Sequence, residues 1–102
     1  MFALASFSQT NQHFVQGMLS TQMEDQQIRE LDNFIRTQPQ IEVCRIDLVT
    51  KRIFILSKNG QQVSESFLRS LFVSKQADFT CYHTGVYGID EMRKYPFENC
   101  DQ

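Results

Sequence analysis

Cys81 and His83 stand two residues apart near the C-terminal end of the chain, and Cys100 follows in the tail. Thiolate and imidazole are ligands for zinc or copper, and residues i and i+2 of a strand share a face, so the pair could converge on an ion with Cys100 as a third donor. A structural zinc site takes four ligands at tighter paired spacings than these. The same residues allow a second chemistry, a Cys81–Cys100 disulfide that ties the tail to the last strand and leaves one thiol unpaired. That thiol, Cys44, alternates with Ile46 and Leu48 and reads as a small buried hydrophobe. Spacing alone leaves disulfide, metal ligands and free thiols open. For nucleophilic catalysis, Cys81 or Cys100 would have to meet His83 or His13 with a third group to orient the base. No nucleophile elbow, phosphate loop or His-Glu-x-x-His helix is present, so neither catalytic nor cofactor-binding residues are expected.

The elements that must position these residues follow from periodicity. His13–Leu19 alternates as a strand, with Phe14 and Met18 on one face. Thr21-x-x-Glu24 has the form of a capping box. The helix behind it brings Ile28, Leu31, Ile35 and Phe34 onto one stripe, and Pro39 ends it. Ile41–Val49 alternates at Cys44, Ile46 and Leu48; Thr50-Lys51 turns, and Arg52–Leu56 returns as the other half of a hairpin. Lys58–Gln61 carries the Asn-Gly turn signal. Ser64 is placed to cap a second helix with Phe67, Leu68, Leu71 and Phe72 on its buried stripe. Ala77–His83 is the fourth strand. Beyond Gly85 the chain suggests a turn, a short helical turn from Asp90, and a tail whose polar residues offer little anchorage beyond Pro96-Phe97.

Strand, helix, strand, strand, helix, strand predicts an α+β fold of the ferredoxin-like βαββαβ type, with a four-stranded antiparallel sheet and two helices on one face. The expected core is Ile28, Leu31, Ile46, Ile53, Leu68 and Leu71. A chain of 102 residues corresponds to one domain. The expected divisions are an N-terminal segment over 1–11, the domain over 12–86 and an extension over 87–102.

The formal charge is −2 and the ten Lys and Arg are scattered, which argues against nucleic-acid partners. No apolar run approaches the roughly 20 residues of a membrane-spanning helix. Met1–Ser8 is apolar and small and gives way abruptly to Gln9-Thr10-Asn11-Gln12. It has the form of the end of a signal peptide, with Ser6-Phe7-Ser8 as the cleavage site and no basic region ahead of it. On that reading the protein is periplasmic or secreted, where disulfides persist; otherwise it is cytoplasmic.

Gly17-Met18-Leu19-Ser20-Thr21-Gln22-Met23 resembles the loop of the heavy-metal-associated (copper-chaperone-like) domain family, which carries Gly-Met-x-Cys-x-x-Cys there. Ile41-Glu42-Val43-Cys44-Arg45-Ile46-Asp47-Leu48-Val49-Thr50-Lys51-Arg52-Ile53 is similar to that family's second strand, hairpin turn and third strand. The resemblance spans Gln12 to His83 and implies the βαββαβ fold. It departs where the family's metal is held, because Ser20 and Met23 occupy the cysteine positions, and the stretch from Gly17 to Ile41 is about one helical turn longer. A hydroxyl is a poor ligand for soft Cu(I) and one thioether binds it weakly. Met18 and Met23, beside the loop carrying Phe79, offer a thioether pair, although methionine more often fills gaps in cores. The expected function is that of a non-catalytic exported domain that has lost the metal site and acts through an unknown protein partner. No cofactor is expected, and a bound metal ion is the less favoured reading. The alternative is a copper or zinc module built from Met18, Met23, Cys81 or His83.

Overall fold

The computed structural model describes residues 11–97 and Cys100. The signal-peptide reading of the first eight residues lies outside the described residues. Six elements follow in order: β1 (His13–Leu19), α1 (Asp25–Arg36), β2 (Ile41–Ile46), β3 (Arg52–Ser57), α2 (Glu65–Ser74) and β4 (Phe79–Val86). The strands form one antiparallel sheet in the order β2-β3-β1-β4. This is the expected α+β class, and the arrangement is ferredoxin-like.

α1 buries Ile28, Leu31 and Ile35, spaced three and four apart, and leaves Asp25, Arg29, Glu30 and Arg36 exposed, with Asp32 half-buried beside β2. Its cap differs from expectation. The capping box is Glu24 with Gln27, whose Oε1 accepts from the Glu24 N–H at 2.9 Å. Thr21 instead accepts the Asp78 N–H on its hydroxyl at 2.8 Å, fastening the β1–α1 loop to the entrance of β4. Ser64 caps α2 as expected, accepting from Phe67 N–H at 3.1 Å. Leu68, Leu71 and Phe72 face inward from α2.

Between helices and sheet the core gathers both stripes with Val15 and Leu19 of β1, Cys44 and Ile46 of β2, and Ile53 and Ile55 of β3. All six residues expected in the core are buried there. β2 ends at Ile46, three residues before the predicted end. Asp47 Oδ1 accepts the N–H groups of Val49 at 2.7 Å and Thr50 at 3.0 Å, which turns the chain before alternation can continue.

β4 begins at Phe79 and runs to Val86, later at both ends than the predicted Ala77–His83. Its pairing with β1 slips between Gln16 and Met18, so that Cys81 and Tyr82 together oppose Gly17. Cys81 adopts φ 63°, the left-handed conformation of a bulge residue. Gly17 fits this crowded point because a Cβ there would lie 3.2 Å from the Thr80 carbonyl oxygen.

The sheet face opposite the helices is covered as well. Phe14 lies on it and is fully buried. The chain after Val86 turns back, with the Val86 carbonyl accepting from Ile89 and Asp90 N–H and Asp90 Oδ2 accepting from Val86 N–H. The turn therefore closes at Asp90, where the sequence predicts one beginning. Gly85 lets the strand pass beneath it, since a Cβ there would sit 2.7 Å from the Asp90 Cβ and 2.9 Å from Phe14 Cζ. The tail is anchored by polar contacts, against expectation. Gln16 donates to the Arg93 carbonyl at 2.9 Å and accepts from the Arg93 N–H at 2.8 Å, and the Arg52 guanidinium lies 4.5 Å from the Tyr95 ring centroid.

Candidate functional site

The residues first singled out for metal chemistry do not converge. The bulge inserts one residue between Cys81 and the regular register and breaks the two-residue rule that would align Cys81 with His83. Cys81 lies at disulfide distance from Cys100, with α-carbons 5.1 Å apart. His83 donates from Nε2 to the Glu91 carbonyl at 3.1 Å and packs its ring against Phe14, with centroids 5.7 Å apart. His13 donates from Nδ1 to the Gln61 carbonyl at 3.1 Å. Both imidazoles thus brace the main chain.

Met18 and Met23 are separated by the sheet. Met18 pairs with Arg52 in the register that puts it on the tail side, while Met23 packs against the core on the helix side. Ser20 and Met23 line different depressions. Beside Ser20 stands the Arg69 guanidinium, which donates to Asp78, to Glu65 at 2.9 Å and to the Phe79 carbonyl at 3.2 Å. A fixed cation at that position opposes a bound metal ion. Among the described residues no three His, Cys, Asp or Glu side chains cluster in a way that could hold a metal ion. No described helix is long and apolar enough to cross a membrane.

Cys44 takes the place predicted for it, at 1% exposure against Ile55 of β3. Burial, and after it the neighbouring Asp32 carboxylate, pushes its thiol well above the ordinary value, with Arg36 pulling weakly the other way. The folded state therefore holds this proton where the unfolded chain releases it. The associated stability is complete below the unfolded thiol's pKa and is lost as pH rises above it. We expect a loss of about 1.4 kcal/mol per pH unit above roughly pH 9, absent in Cys44→Ala. Urea unfolding of both proteins between pH 8 and about 10.5 checks this, and equal alkaline slopes would refute it.

The arrangement that sequence reasoning missed is a cleft of about 730 Å³ at the β2 end of the sheet, between α1, the tail-side face and the tail. Arg36, Arg45, Arg52 and Arg93 all line it. Its two carboxylates are already engaged. Asp32 forms an ion pair with Arg36 at 3.1 Å, and Asp47 holds the hairpin-turn amides, which keep its carboxyl below the usual range. Arg36 also donates to the Cys44 carbonyl at 3.1 Å, covering part of the exposed β2 edge. Arg45 and Arg93 are exposed and form no ion pair among the described residues. Tyr95 and Phe97, packed edge to face with centroids 5.9 Å apart, make an aromatic wall. Chemically the cleft can desolvate a ligand against rings and meet negative charge with guanidinium forks.

Comparison with protein-family models, with curated proteins and with solved structures returns no match for this chain.

Proposed function

We propose that this protein is a non-catalytic exported domain that keeps a metal-chaperone-like fold without the metal site and acts through contacts with another protein. The observation that carries the reading is the arginine cleft, which is lined by α1, β1, β2, β3 and the tail and is rimmed by aromatic side chains. Aromatic and arginine side chains are the types enriched where proteins meet. Two further features support it. The positions that hold metal in the resembling family carry Ser20 and Met23, which line separate depressions here. The Cys81–Cys100 pair suits an oxidising compartment, periplasmic or extracellular.

Two measurements test it. A photo-crosslinking residue at position 45, in protein expressed in its native host, is expected to capture a discrete partner that excess unlabelled domain competes away. The same residue at position 30, on the solvent face of α1, should capture none. Copper and zinc titration followed by native mass spectrometry should show no tight complex. A stoichiometric metal complex that survives dilution would overturn the reading in favour of a metal-binding module.

A further inference from the structure

The arginine cleft has a charge pattern that narrows what it can accept. The tail-side face carries one transverse row of paired residues: Arg45 of β2 opposite Phe54 of β3, and Phe54 opposite Gln16 of β1. Gln16 in turn holds the main chain of Arg93 through two hydrogen bonds. Strands lie about 4.8 Å apart, so the backbones of Arg45 and Gln16 are roughly 10 Å apart, with Phe54 between them and Arg93 held above Gln16 by the Gln16 side chain. Arg52, one register step along β3, is held over Tyr95 and stiffens the wall. Arg36 is neutralised by Asp32. Arg45 and Arg93, which form no ion pair among the described residues, therefore flank an apolar strip.

We propose that the cleft binds an acidic segment of a partner protein in extended conformation, with carboxylates on alternate residues and apolar side chains between them. In an extended chain residues i and i+2 lie nearly 7 Å apart on one face. Two carboxylates at that spacing can each meet one flexible guanidinium across the Phe54 floor, while the intervening side chain, on the opposite face of the extended segment, packs on the wall of Tyr95 and Phe97. Arginine suits carboxylate because its planar fork donates two parallel hydrogen bonds. Asp32 and Asp47 in the wall, with an overall charge of −2, weigh against a long polyanion such as nucleic acid. This inference rests on the protein-contact reading and adds the chemistry of the partner.

Fluorescence anisotropy with a labelled Glu-Phe-Glu-Phe-Glu peptide tests it on the full chain with the disulfide intact. The peptide is expected to bind at low salt, and the combined Arg45→Glu and Arg93→Glu variant to bind it at least about tenfold more weakly. Each single variant, Arg45→Glu or Arg93→Glu, should weaken binding as well. Arg29→Glu, the same single charge reversal on the exposed face of α1, should leave binding unaltered. Each variant's urea midpoint confirms that it is folded. Unchanged binding by the double variant would overturn the proposal. So would full displacement by millimolar inorganic phosphate, which would mark a small-anion site, or tighter binding of a single-stranded oligonucleotide. Equal binding of Lys-Phe-Lys-Phe-Lys would overturn the acidic preference while leaving the protein-contact reading intact.

Discussion

Leu31→Ala is expected to destabilise this domain by about 2–5 kcal/mol, the cost of truncating a leucine in a packed core. Leu31 is 1% exposed and lies on the α1 stripe with Ile28 and Ile35, between the helix and the sheet. The truncation removes the transfer free energy of the lost carbons and leaves a hole whose walls also belong to β-strands, which cannot slide inward without breaking ladder hydrogen bonds. A small domain has roughly 5–10 kcal/mol in all, so the variant should approach the edge of folding at room temperature. Equilibrium urea unfolding reads the effect as a lower midpoint at unchanged slope. A loss below about 1 kcal/mol would mean that Leu31 is not in a tightly packed site.

The same residue shows which part of the fold was legible in advance. Spacing alone predicts Leu31 in the core, because a helix of 3.6 residues per turn returns its apolar positions to one side whatever lies opposite. The Ser64 cap and the Asn59-Gly60 turn are local in the same sense, and both appear where the sequence put them. The failures arose where a distant contact outweighed a local pattern. Thr21-x-x-Glu24 matches a capping box, yet the Thr21 hydroxyl serves the Asp78 amide 57 residues away, and Glu24 takes over the cap. Alternation predicts β2 through Val49, but the Asp47 carboxylate gathers two amides and turns the chain first.

The cleft was illegible for a stronger version of this reason. Its four arginines come from α1, β2, β3 and the tail, and in sequence they look scattered. Only the antiparallel register and the tail's return across the sheet bring them together, and the return depends on the pairing of Gln16 with Arg93 at a separation of 77 residues. No periodicity encodes such a contact. The bulge at Cys81 is likewise invisible to a period-two reading, and it is what divides Cys81 from His83 and sends the cysteine toward the tail.

The second large effect belongs to that cysteine. Reducing the Cys81–Cys100 pair, or replacing Cys100 with serine, is expected to cost about 3 kcal/mol, the loop-closure entropy that a cross-link around 20 residues removes from the unfolded chain. The α-carbon separation of 5.1 Å falls within the range a disulfide spans. The consequence is also local. Between the bulge and Cys100 runs the segment that covers Phe14, lines the cleft with Arg93, Tyr95 and Phe97, and stacks Tyr95 on Arg52. Without the covalent tie, that segment is held by the Gln16–Arg93 pair, the His83–Glu91 hydrogen bond and ring contacts, each worth on the order of 1 kcal/mol or less. Reduction should therefore raise hydrogen exchange and proteolysis first between residues 87 and 97, while the amides of β1 and β3 stay protected until global unfolding. Thiol counting on denatured, unreduced protein made in its native host should find one free thiol, mapping to Cys44, and three after reduction. Three free thiols before reduction would show that the bond does not form. Equal stability of oxidised and reduced protein would show that the polar anchors alone hold the tail, leaving the cleft intact without its cross-link.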